Sequence, residues 1–143
     1  MQINKVVIGL FSAVFFSAPS LYAGTPVWTF TPQTPTSISL LVGDTADIIY
    51  QVTNQSPKTH TLKMTNIVGV EPSGCTAPLG PQQSCTLTLT IHSNGLRGNV
   101  SGGPVLCEHG LPLECYQPSK ADIMKVTLVP CTTWDFSCLL SKG

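Results

Sequence analysis

Apolar and polar residues alternate along most of the chain after residue 27, and this period of two constrains the fold more than any other feature. The longest example is CTLTLTIH at residues 85–92, in which leucine and isoleucine alternate with threonine. Successive side chains of a β-strand point to opposite faces, so such a run places one set in a core and the other in water. Shorter alternating runs lie at residues 28–31, 37–42, 46–53, 61–65 and 123–128.

Clusters of glycine, proline and asparagine separate these runs and predict turns, for example at residues 72–74. Asn94-Gly95 predicts a hairpin turn, followed by a return strand between Leu96 and Cys107 that bends at Gly102-Gly103. No stretch keeps a helical period for three turns. About seven strands in roughly 100 residues are typical of an immunoglobulin-like β-sandwich. The sequence therefore predicts an all-β sandwich over residues 24–130.

The first 23 residues have the plan of a secretory signal peptide. Lys5 is their sole charge, and the apolar stretch at residues 6–18 ends at Pro19. That stretch makes roughly 20 Å of helix, which is shorter than the ~30 Å hydrocarbon core of a bilayer. We expect cleavage after Ala23, with cleavage after Ser20 or an uncleaved anchor helix as alternatives. Residues 131–143 form a short C-terminal appendage.

All six cysteines lie after the predicted signal peptide, and an even count in an exported chain indicates disulfides. The spacing favours three local bridges, although other pairings remain open. Zinc sites favour a C-x₂₋₄-C spacing and thioredoxin-like sites need C-x-x-C, and no pair here has either. The predicted bridges are Cys75–Cys85, Cys107–Cys115 and Cys131–Cys138.

The charge content argues against several classes of partner. The formal net charge is zero and only 10% of residues are charged. A nucleic-acid-binding protein needs a basic patch to neutralise phosphates, and a membrane-surface module needs a polybasic segment. We therefore expect a protein partner, no nucleic acid, and no transmembrane segment once the signal is cleaved.

Residues 42–91 carry a resemblance to a known family. Gly43-Asp44-Thr45 precedes a strand that ends in YQVTNQS at residues 50–56, and this pattern resembles the start of an ASPM-SPD-2-Hydin (major-sperm-protein-like) domain. The segment between Cys75 and Cys85 resembles the bacterial exported version of that domain. The run WTFTP at residues 28–32 is similar to the start of a narrower group, the short exported proteins of intracellular gammaproteobacteria.

The resemblance implies an immunoglobulin-like sandwich used for protein–protein contact, with no catalytic residues to carry over. The chain departs from the family pattern at the Cys107–Cys115 insertion and at the Cys131–Cys138 tail. The matching motifs are structural, so they indicate the fold more than the function.

Residues suited to catalysis or metal binding are few. His60, His92 and His109 lack a second histidine at metal-ligand spacing, and we expect neither a metal nor a cofactor. The G-x-S-x-G motif of many serine hydrolases is absent. Glu108 and Glu114 could approach each other if their loop closes, but the favoured interpretation is that they are exposed, solvated carboxylates. The sequence therefore favours a chain that is not an enzyme.

The predicted contact surface is the loop between Cys107 and Cys115. Loops on a rigid scaffold often carry function, and two leucines in so tight a loop should be exposed, unless they cap the open end of the core. The candidate contact residues are Glu108, His109, Leu111, Leu113 and Glu114.

The function hypothesis is a non-enzymatic interaction module in the periplasm, on the cell surface or in the medium, directed at the envelope or a host. One alternative is a structural subunit of an envelope or pilus-like assembly, in which Trp28–Pro32 is donated as a strand. A second alternative is a small secreted hydrolase or inhibitor.

Overall fold

The computed structural model describes residues 26–130, and within them it has ten strands and one short 3₁₀ turn. The predicted signal peptide, the Cys131–Cys138 bridge and the C-terminal appendage lie outside these residues. The strands are β1 Trp28–Pro32, β2 Ser37–Leu41, β3 Thr45–Asn54, β4 Leu62–Met64, β5 Val70–Ser73, β6 Ser84–His92, β7 Val100–Ser101, β8 Leu106–Glu108, β9 Leu111–Tyr116 and β10 Lys125–Val129.

The strands form two layers. One layer is the sheet β1-β3-β6-β5, and the other consists of β2-β10-β7 and β4-β8-β9. β7 and β8 are halves of one strand position, broken at residues 102–105, and β9 and β10 are halves of the next, broken at residues 117–124. The first strand position is likewise divided, because β1 lies in one layer and β2 in the other. The ten strands therefore occupy seven positions.

This order confirms the predicted immunoglobulin-like sandwich. The first, second, fifth and fourth positions form one sheet, and the third, sixth and seventh form the other, as in an immunoglobulin constant-type domain. β2 runs parallel to β10, and the remaining pairs are antiparallel.

A single apolar core lies between the layers. It takes alternate residues from the longest strands, so β3 contributes Ile48, Tyr50 and Val52, each with no exposed surface. Burying one such side chain stabilises the fold by about 1.5–3 kcal/mol. The alternation predicted the inward sets of β3 and β6 correctly, but Val42, which it grouped with Ile38 and Leu40, is 38% exposed. The remaining core residues are Trp28, Leu40, Val70, Cys75, Leu79, Leu87, Leu89, Ile91, Leu106, Met124 and Val126.

The predicted hairpin at Asn94-Gly95 is wrong. Ser93–Gly95 forms a 3₁₀ turn from which the chain crosses to the other layer. β6 already has β3 on one edge and β5 on the other, so no edge is free for a return strand. The return segment exists as β7 and β8, and the break between them includes the predicted bend, but it pairs with β10, β4 and β9.

Two of the three predicted disulfides are confirmed. Cys75–Cys85 joins the turn after β5 to β6, and Cys107–Cys115 joins directly opposed residues of β8 and β9. Within residues 26–130, no helix is long and apolar enough to cross a membrane.

Candidate functional site: a disulfide-closed hairpin

The predicted contact residues form a β-hairpin rather than an open loop. β8 and β9 are joined at His109-Gly110, and Gly110 takes the left-handed conformation (φ 91°) that this tight turn uses. His109 and Glu114 are exposed. Leu111 and Leu113 belong to strand β9, which corrects their assignment to a loop. The predicted exposure of their side chains lies outside what the structure describes.

Glu108 at the base of the hairpin contacts His60. The Glu108 Oε1 atom lies 2.6 Å from His60 Nδ1, and the two side chains are only 19% and 11% exposed. His60 Nδ1 makes no hydrogen bond of acceptable geometry, so the pair is a close polar contact rather than a hydrogen bond. Sequence analysis missed this pair because the residues are far apart in the chain and meet only through the β4–β8 register, where Leu62 opposes Glu108.

His60 also binds the segments around it. Its Nε2 lies 2.6 Å from Ser56 Oγ, and its ring packs edge-on against Trp28 at a centroid distance of 6.0 Å. The His60 main chain exchanges two hydrogen bonds with Leu79, of 3.0 and 2.8 Å. His60 therefore connects the hairpin to β1, to the β3–β4 turn and to the segment before β6.

The main chain supplies a further attachment at the tip. The His109 N–H donates a 2.8 Å hydrogen bond to the carbonyl of Thr61. Together with the Cys107–Cys115 bridge and the Glu108–His60 contact, this bond fixes the hairpin at three points. The His109 side chain and Gly110 stay exposed beyond them.

The contacts around His60 follow the order of a serine-hydrolase triad: Ser56 Oγ lies at Nε2 and Glu108 lies at Nδ1. The Ser56 hydroxyl is also engaged by its own turn, because Lys58 N–H donates to Ser56 Oγ and the Lys58 carbonyl lies 3.0 Å from the same oxygen. Asn54 Oδ1 accepts from Ser56 N–H at 2.9 Å. These contacts favour a structural role for Ser56 in shaping the turn that holds His60.

A cleft of about 280 Å³ lies beside the hairpin, lined by Lys63, Cys107, Glu108, His109 and Gly110. Clefts that enclose a small molecule are typically about 300–1,000 Å³. The volume of this cleft is close to the lower end of that range. Lys63 and Glu108 give it one cation and one anion.

The remaining histidine, His92, lies at the opposite end of the sandwich, with Nε2 3.5 Å from the Glu71 carboxylate. Among residues 26–130, no three His, Cys, Asp or Glu side chains are placed to hold a metal ion. No protein-family model and no curated protein matches this chain. The family resemblance of residues 42–91 accordingly stays a prediction.

Proposed function

We propose that this chain is an exported, non-enzymatic protein–protein interaction module, periplasmic or secreted, and that the β8–β9 hairpin makes the contact. The observation that carries the proposal is the fixed base of the hairpin combined with its exposed tip. A surface held in its binding conformation loses less conformational entropy on association. Partner contact at His109 and Gly110 would therefore cost little ordering of the hairpin.

Export is supported by the covalent chemistry. The two disulfides are bonds that persist in oxidising compartments and are rare in the cytosol. The signal-like pattern of residues 1–23 is an independent reason to expect the same compartment.

Site-specific photo-cross-linking tests the proposal. A photoreactive amino acid replaces His109 in one protein and Asn94 in a second, and cross-linking is done in the native host. Both positions are exposed, but Asn94 lies in the 3₁₀ turn near the opposite end of the sandwich. We expect a discrete cross-linked product from position 109 and none at the same mass from position 94.

A variant of the hairpin tip serves as a control. Gly110→Val, a β-branched residue where φ is 91°, should distort the tip and reduce the product while the core stays folded. No product from position 109 in either the periplasm or the medium would contradict the proposal, as would equal products from both positions.

A hydrolase is the second candidate function, because Ser56, His60 and Glu108 have the triad order. Under this alternative, a fluorophosphonate probe would label Ser56, and Ser56→Ala would abolish the labelling and any hydrolysis of p-nitrophenyl acetate. Under the interaction proposal the wild-type protein is not labelled, and Ser56→Ala changes stability alone.

A further inference from the structure

The exposed edges of the sheets differ in how well they are protected from pairing with another strand. On β5, Pro72 has no N–H, the Val70 N–H is taken by the Ile67 carbonyl, and Glu71 adds a charge. On β1, Pro32 has no N–H and Trp28 is only 1% exposed. Proline, charge and burial are the usual means of blocking an edge. β4 is three residues long and carries Lys63, so it too is a poor partner.

β2 lacks these protections at Ser37 and Ser39, and only its last carbonyl, that of Leu41, is taken, by Asp44 N–H. The Lys125 N–H donates a 2.7 Å hydrogen bond to the Thr36 carbonyl, which sets the phase of the parallel β2–β10 ladder. In that phase Ile38 and Leu40 bond to β10, and the N–H and C=O groups of Ser37 and Ser39 point away from the sheet. Both serines are exposed, and β2 contains no charged residue and no proline.

Hydrogen bonding at the opposite edge of β10 supports the same phase independently. The Leu128 N–H donates to Asn99 Oδ1 on the side of β10 away from β2. The main-chain groups of even-numbered β10 residues therefore do not form hydrogen bonds with β2. The open groups of Ser37 and Ser39 therefore follow from hydrogen bonds on both sides of β10.

We propose that two copies of this chain associate along β2, antiparallel about a two-fold axis at Ser39. Ser39 then faces Ser39 of the second copy, and Ser37 faces its Leu41. The N–H and C=O groups of Ser39 match those of Ser39 in the second copy because both copies present the same groups. Ser37 can accept from the Leu41 N–H of the second copy, whereas the Leu41 carbonyl already accepts a 3.1 Å hydrogen bond from Asp44 N–H. In each copy β2 belongs to one layer, and these two layers would join into one continuous sheet across the dimer.

Charge favours this antiparallel arrangement over a parallel one. Lys125 lies beside Ser37 at one end of β2, and Asp44 follows Leu41 at the other. Both side chains are exposed, and neither has an ion-pair partner within residues 26–130. Antiparallel pairing brings Lys125 of each copy toward Asp44 of the other, whereas parallel pairing would bring like charges together.

Apolar side chains flank the same edge. Val42 and Val129 are each 38% exposed, and Val129 is the register partner of Leu41. A second β2 strand would cover part of this apolar surface. The association is separate from the proposed hairpin contact, which lies at the other end of the sandwich.

Sedimentation equilibrium of the purified protein tests the dimer. The wild type is compared with variants of Ser39 and of the residue paired with it on β10. Ser39→Lys places two like charges at the two-fold axis. Thr127→Lys is the matched control, because Thr127 is the register partner of Ser39 and is also exposed but lies one strand inward. Ser39→Pro removes an N–H that points away from the sheet, and it also fixes φ at this position. Circular dichroism confirms that each variant is folded.

We expect a reversible wild-type dimer whose dissociation constant rises at least about tenfold in Ser39→Lys and in Ser39→Pro, and by less than about threefold in Thr127→Lys. A wild-type protein that stays monomeric up to about 1 mM would overturn the proposal. So would a dimer that tolerates Ser39→Lys, or one that the two lysine variants weaken equally. If the dimer is absent while the position-109 cross-link forms, the hairpin proposal stands alone.

Discussion

Asn54 shows how much one buried polar residue can organise. Its side chain has no exposed surface, and its amide nitrogen donates to the carbonyls of Lys58, Leu79 and Gly80 at 2.7, 2.8 and 3.1 Å. The amide oxygen accepts from Ser56 N–H. Asn54 thus joins the end of β3 to the turn that positions His60 and to the segment before β6.

Asn54→Asp should destabilise the fold by about 3 kcal/mol or more, because it sets a carboxylate oxygen against three carbonyl oxygens in a buried site. Asn99→Asp is the matched control, since Asn99 is exposed and uses only its side-chain oxygen, as an acceptor from Leu128 N–H. That variant should change the free energy of unfolding by less than about 1 kcal/mol. Urea denaturation measures the unfolding free energy of both variants. Equal losses of stability would show that the buried Asn54 amide contributes no more than an exposed one.

Tyr50 predicts a dependence of stability on alkaline pH. Burial, with the nearby Asp122 carboxylate as the smaller cause, raises the pKa of Tyr50 to about 12. The phenol donates a 2.8 Å hydrogen bond to the Asp122 carbonyl. An unfolded tyrosine has a pKa of about 10. The stability that protonated Tyr50 contributes to the fold is therefore complete below about pH 10 and is lost as the pH rises toward about 12.

We therefore expect the wild-type free energy of unfolding to fall across that window more steeply than that of Tyr50→Phe. Across the whole window, the wild type should lose at most about 3 kcal/mol more unfolding free energy than Tyr50→Phe. Below it, Tyr50→Phe should cost about 1 kcal/mol for the lost hydrogen bond. Parallel curves for the two proteins would disprove the titration of Tyr50 on unfolding.

At the scale of the elements, the β5–β6 turn depends on a close backbone approach. Gly74 has a φ of +79°, and a Cβ at this position would lie 2.1 Å from the Thr86 carbonyl oxygen. The following residue is Cys75, so the same turn presents the sulfur that bridges to Cys85 in β6.

Gly74→Ala should destabilise the fold by about 3 kcal/mol or more, because neither the φ angle nor the backbone contact can accept a methyl group. Gly98→Ala is the control, since no atom lies within 4 Å of a Cβ built there. It should stay within about 1 kcal/mol of the wild type. Thermal melting of both proteins checks the prediction, and a tolerated Gly74→Ala would contradict the described geometry of the turn.

The hairpin attachment makes a prediction of its own. Glu108→Ala removes the carboxylate facing the shielded His60 and should cost about 1–2 kcal/mol. It should also speed amide hydrogen exchange at His109. Glu114→Ala changes an exposed carboxylate on the same hairpin and should stay within about 0.5 kcal/mol. Similar effects from the two variants would mean that Glu108 does not anchor the hairpin.

The alternating strands were predictable because their inward and outward sets differ in chemistry, as in residues 85–92. β5 was not, because Glu71-Pro72-Ser73 has the composition of a turn and pairs only as an edge of β6. β9 was predicted as a loop, since its short run between two cysteines has no alternating pattern. The Glu108–His60 contact depends on the register of two strands that the sequence does not place side by side.

At the scale of the whole molecule, the two described disulfides close short segments of a chain with few charges. A loop of about ten residues contributes roughly 2.5–3 kcal/mol in the chain-entropy model, a large share of the 5–15 kcal/mol that typically stabilises a domain. The proposed function depends on a compartment in which the bond that closes the hairpin can form. Export and oxidation are therefore the central claim.

The intact mass of the protein recovered from its native host tests that claim most directly. We predict a mass that corresponds to the loss of residues 1–23 and to the pairing of all six cysteines, found in the periplasmic or medium fraction and unchanged by a thiol-alkylating reagent. A full-length chain in the cytosol whose cysteines all take up the reagent would contradict the account.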